Sequence, residues 1–149
     1  MAATSITGFA GFTALAAHPW AYPALEAVHV MGIALLVGNL ALLELRVWGA
    51  APELPVRPLA RLSLRLALAG FLVVGASGLL MFSAQPGELL ANRAFVWKMG
   101  LVALAGLNAA MFHARDGLGR LDRVARAQTA LSLGLWALVI ICGRWIAYR

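Results

Sequence analysis

Four long apolar stretches, near 23–43, 62–82, 94–113 and 127–148, fill most of the 149 residues. Each is close to the roughly 20 residues that carry an α-helix across a bilayer core. No water is present there to satisfy backbone N–H and C=O groups, so each stretch must close its own hydrogen bonds as a helix. The expected fold is an all-α membrane protein, an antiparallel four-helix transmembrane bundle. One domain is expected over 1–149, with helices near 23–48, 58–83, 92–113 and 124–148. Composition agrees. Only 12% of residues are charged and 62% are hydrophobic, whereas a soluble domain carries about 25% charge.

The net charge of +6 does not point to nucleic acid, because the basic residues sit at helix ends rather than on a water-facing surface. Eight of them (Arg46, Arg57, Arg61, Arg65, Arg115, Arg120, Arg123 and Arg126) fall on the side holding the helix 1–2 and 3–4 connections. Four (Arg93, Lys98, Arg144 and Arg149) fall on the side of the termini. Basic loops stay in the cytoplasm. The expectation is a bacterial inner-membrane protein with both termini on the periplasmic side and the lipid bilayer as its main partner. No serine, phosphate loop or metalloprotease pattern demands enzymatic turnover.

The N-terminal residues do not read as a signal peptide, because no Lys or Arg precedes Ala14-Leu15-Ala16. Ile6, Phe9, Phe12 and Leu15 recur at near-helical spacing and Trp20 and Tyr22 follow. The segment 5–18 is therefore expected to lie as a short interfacial helix. Pro52, Pro55 and Pro58 predict an extended linker over 50–58. Gln85-Pro86-Gly87 predicts a turn, Asn92 a helix cap, and Asp116-Gly117 with Gly119 another turn. Glycines 32, 38, 70, 75, 78, 100, 106 and 134 are suited to close helix contacts. Asn39 and Asn108 are expected to hydrogen-bond across helices.

Antiparallel topology lets depth be read from position. Glu26 and His29 lie early in helix 1, Lys98 early in helix 3 and Arg144 late in helix 4. All four share one depth near the termini. Ionisable residues inside a membrane point to function by default, although a structural ion-pair cluster, with Glu26 neutralising Arg144, would look the same. Met31, Met81, Met99, Cys142 and His18 fall on that half as well. Imidazole, thioether and thiolate suit haem iron or copper, while Met and Cys are also ordinary core filler. The lone Cys142 excludes an internal disulfide. His29 and His113 cannot both ligate one iron, since they stand roughly 20 Å apart in depth. His113 reads as an interfacial polar residue.

The segments Leu25-Glu26-Ala27-Val28-His29-Val30-Met31-Gly32, Leu43-Glu44-Leu45-Arg46, Ser77-Gly78-Leu79-Leu80-Met81 and Gly143-Arg144-Trp145 resemble a family of small bacterial four-helix membrane proteins of unknown function. More distantly, the first helix resembles that of the copper-resistance protein D group. It also resembles that of the four-helix haem-binding protoporphyrinogen oxidases of bacteria. This likeness implies haem b or copper at His29. The oxidases carry a functional lysine in their second helix, whereas this chain has Lys98 in its third.

Three readings follow. In the first, a haem b-binding, electron-handling protein, His29 is an axial ligand and Met81 or His18 the second. Lys98 and Arg144 pair with the propionates, and Glu26 orients His29 or balances Arg144. In the second, a copper(I) site, the ligands are His29, Met31, Met81, Met99 and Cys142. In the third, the chain is an accessory subunit of a larger membrane complex. A redox partner or a homo-oligomer is compatible with these readings.

Overall fold

The computed structural model describes residues 17–148. Apart from its last two residues, the expected interfacial segment lies outside them. Among the described residues there are six helices and no strand: α1 (Ala21–Val47), α2 (Val56–Ala84), α3 (Pro86–Ala91), α4 (Arg93–Ala114), α5 (Gly117–Arg120) and α6 (Arg123–Ile146). Four of these, α1, α2, α4 and α6, are long and apolar enough to cross a membrane. The chain is a multi-pass membrane protein. Its outward side chains are those of a lipid-facing surface, with Leu68, Leu72, Leu79, Leu104 and Leu107 all exposed.

Local chemistry sets the helix ends. Asn92 accepts a hydrogen bond from the Ala94 N–H at 2.9 Å and starts α4. Asp122 accepts from the Ala125 N–H at 2.8 Å and starts α6. Each satisfies one of the orphan donors of a first turn. Helix α2 begins at Val56, two residues earlier than expected. Pro58 is its third residue, where a missing N–H leaves no bond unmade. The preceding linker is not extended. Arg46 donates to the carbonyls of Leu54 at 2.8 Å and Pro52 at 3.2 Å, folding the proline-bearing segment back under the end of α1. Where a plain turn was expected, Pro86 opens the single-turn helix α3.

Helix α1 packs along α2, α4 packs along α6, and α1 meets α6 to join the two hairpins. Helices α2 and α4 meet through the stacked rings of Phe82 and Phe95, 5.7 Å apart. The α1–α2 seam is backbone on backbone. A methyl group added at Gly70 would lie 2.6 Å from Leu36 N and 2.8 Å from Gly32 O. Not every glycine serves such a contact. Gly38, Gly75, Gly100, Gly106 and Gly134 face open space. The α4–α6 hairpin is closed at the arginine-rich end by side chains. Phe112, Val47 and Ala125 form a buried cluster with Leu118 and Leu121 against it. Asn108 crosses to the Gln128 carbonyl at 2.8 Å, as the sequence suggested. Asn39 instead bonds its own helix at Leu35 O. Trp48 donates to Thr129 Oγ1 at 2.7 Å and fastens the end of α1 to α6. On α2, Arg57, Arg61 and Arg65 recur every fourth residue along one exposed face.

Candidate functional site around His29

His29 lies eight residues into α1, on the face turned to α2. The close glycine contact at Gly32 and Gly70 fixes the register and brings Ser77 opposite His29. Their side chains hydrogen-bond, Nδ1 to Oγ, at 2.9 Å. Gly78 follows, and a methyl group there would lie 3.4 Å from His29 Cε1, so the ring rests directly on the α2 backbone.

The proton on this hydrogen bond can be assigned. Ser77 Oγ donates its own proton to the Val73 carbonyl at 2.6 Å, with Val74 O at 3.2 Å. It therefore accepts from the imidazole, and Nδ1 carries the hydrogen. The Nε2 lone pair of the neutral ring is left free. Nε2 is buried and has no hydrogen-bond partner among the described residues. An imidazole held through one nitrogen with the other unpartnered is the arrangement that prepares a histidine to bind a metal.

Two groups from the other hairpin approach this site. Lys98 of α4 reaches across to α6, where a methyl group on Gly143 would lie 3.3 Å from Nζ. Its ammonium is within electrostatic range of His29 and of Cys142. Among the described residues Lys98 makes no ion pair. This end of the bundle thus carries an imidazole and a hydroxyl on the first hairpin and an ammonium and a thiol on the second, and no ion pair joins them among the described residues. It suits an anionic or lone-pair-accepting ligand.

The remaining expected residues are placed differently. Glu26 and Arg144 do not pair. Glu26 is exposed, and Arg144 donates to Tyr148 Oη at 2.8 Å and stacks over that ring. Both are exposed, and Arg144 takes a phenol one turn further along the chain in place of a carboxylate on another helix. Met31 and Met99 are 70% and 44% exposed on the outside of the bundle. They do not converge with His29. Met81 is half-buried on α2, one turn beyond Ser77 on the same face. His18 is exposed, and its Nδ1 accepts from the Trp20 N–H at 3.4 Å. Its hydrogen therefore sits on Nε2, the opposite tautomer to His29. His113 is exposed at the end of α4, its ring edge-on to Phe112. No group of three or more His, Cys, Asp or Glu side chains gathers as a metal site among the described residues.

Two residues went unnoticed in the sequence. Ser77 belongs to the His29 site, and its only signal is a hydroxyl beside glycine in an otherwise apolar helix. Glu44 is buried between helices, although its position two residues before Arg46 reads as an ordinary charged helix end. No family model, no curated protein and no solved structure matches the chain.

Proposed function

We propose that the protein binds haem b in the half of the membrane nearer its termini, where His29 Nε2 would ligate it, and that it handles electrons there. The observation that carries this reading is the buried, unpartnered Nε2 on a ring whose tautomer Ser77 fixes. Lys98 supports it as a cation with no carboxylate of its own, suited to a propionate. Met81 is favoured over His18 as the second ligand, because it is half-buried on the face that bears Ser77. Haem supplies one-electron chemistry when bound. The chain's own part is to hold the imidazole lone pair in place, exclude water with the apolar seam, and offer a positive charge. The outward placement of Met31 and Met99 leaves the copper set less well supported.

In this reading the arginine-rich side lies in the cytoplasm of a bacterium and the site opens toward the periplasmic leaflet. The test is an oxidised and dithionite-reduced absorption spectrum of detergent-purified, haem-supplemented protein. A Soret band with a sharpened reduced α band is expected, and His29→Ala removes it. Ser77→Ala retains the band but shifts the reduction potential, because the ring loses its orienting partner. A flat spectrum from the unsubstituted protein overturns the reading.

A further inference from the structure

Glu44 is a buried ionisable group that the His29 site leaves unused. It lies fifteen residues beyond His29 on α1, about 22 Å along the axis, and three residues from the end of that helix. The residue is only 4% exposed. Ser132 on α6 is the hydroxyl within reach of the carboxyl. The other oxygen, Oε2, is buried with no hydrogen-bond partner among the described residues. On α2, the register set by His29 with Ser77 and Leu36 with Gly70 brings Ser63, 1% exposed, level with this turn.

Among the described residues no cation pairs with the carboxyl. On α1 itself, Arg46 is engaged with the Leu54 and Pro52 carbonyls. On α2, Arg61 and Arg65 flank Ser63 in sequence but are exposed. The groups at this level of α6 are Ser132, Gln128 and Thr129, and on α4 Asn108, which is bonded to Gln128 O. The ion pairs among the described residues are Arg57 with Asp116 and Arg115 with Asp122. A carboxylate taken out of water must be compensated by a bound positive charge. Calcium takes about six to eight oxygen ligands and magnesium demands a full octahedron. With Thr129 taken by Trp48 and the Arg126 carbonyl, and Gln128 Oε1 by Arg115, the surroundings of Glu44 offer one carboxyl, the hydroxyls of Ser132 and Ser63 and the Asn108 amide oxygen, short of either. A proton needs a single lone pair, and Oε2 holds one.

We propose that Glu44 is an exchangeable proton site inside the bundle, with Ser132 as its hydrogen-bond partner and the arginine-rich side as the route of exchange. A proton from water adds to Oε2 and forms the O–H bond of a carboxylic acid, taking the local charge from minus one to zero. Release returns it to water, with no electron transferred. The site stands independently of whether His29 holds haem.

Infrared difference spectroscopy of the full chain in lipid nanodiscs, stepped between mildly acidic and mildly alkaline buffer, tests this. The expected result is a reversible carboxylic-acid carbonyl band at the frequency of an acid in apolar surroundings. It disappears in Glu44→Gln and shifts in Ser132→Ala, which keeps the carboxyl but removes its partner. Should Glu44→Gln fail to fold, carboxyl-13C-labelled glutamate in the unsubstituted chain must move the band, since the other glutamates, Glu26, Glu53 and Glu88, are exposed. A band that survives Glu44→Gln overturns the proposal. So does a permanent carboxylate signal at all pH values, which would mean a bound metal cation or fixed waters in place of the proton.

Discussion

The two hairpins solve the same packing problem by different means. Between α1 and α2 the contact is between backbones, made possible by Gly32 and Gly70. Between α4 and α6 it is made by side chains: Asn108 on the Gln128 carbonyl, and Phe112 wedged against Ala125 and Gly117. Lipid tails are as apolar as leucine, so helices in a membrane associate through close packing and hydrogen bonds rather than by burying oil. The first hairpin relies mainly on the former, with His29–Ser77 as a hydrogen bond across its seam, and the second leans on side-chain packing and the Asn108 bond. The difference bears on the site, because a backbone seam holds its register closely. His29 meets Ser77 only while that register is kept.

Substitutions that strain each seam separate the two modes, and denaturant or thermal unfolding in detergent reads them. Phe112→Ala is expected to cost the most, about 3–5 kcal/mol, because the cluster at the arginine-rich end loses its largest member. A loss within that range while the His29–Ser77 contact persists would confine the damage to the second hairpin. Gly70→Ala comes next, at about 1–3 kcal/mol, since the added methyl meets backbone atoms of Leu36 and Gly32 that cannot swing aside. Gly75→Ala, with nothing near it, should stay within about 0.5 kcal/mol. Equal effects at the two glycines would break the claim that the seam is set by one close approach. Asn108→Ala is expected to cost about 0.6–1 kcal/mol, the worth of one interhelical hydrogen bond in a membrane.

The smallest effect is a pH dependence at the start of α6. The Ala125 N–H, together with Arg115, holds the Asp122 carboxyl below the usual carboxylate range. A group depressed in the folded state contributes stability above its unfolded pKa and loses it as pH falls through the folded value. Amide exchange in the first turn of α6 should therefore quicken on acidification below the ordinary carboxylate range. Asp122→Asn, which keeps a capping oxygen without the charge, should flatten that response.

Much of the architecture was legible in the chain. Helices of this length and apolarity have no alternative in a bilayer, and the caps at Asn92 and Asp122 are local chemistry. What escaped depends on how helices turn toward one another. The glycine pattern marked eight positions, but only the register of α1 on α2 decides that Gly32 and Gly70 touch while Gly38 and Gly75 do not. The same rotation puts Met31 outside, two residues from a half-buried His29. Depth alone grouped Glu26 with Arg144, yet depth says nothing of direction, and Arg144 found Tyr148 four residues on, just past the end of its own helix. Glu44 lay in the one place where the nearest positive charge in sequence, Arg46, was already committed to the linker.

The arginines along α2 have a mechanical consequence. Arg65 sits eight residues beyond Arg57, about 12 Å further along the axis, so the exposed basic face spans the depth of one headgroup layer. A displacement of the bundle toward the terminal side would draw these rungs one after another into the acyl chains, at about 2.5–3.5 kcal/mol for each arginine carried to mid-membrane. A displacement the other way meets no such resistance from them. In a bilayer such a ladder would oppose displacement in one direction only.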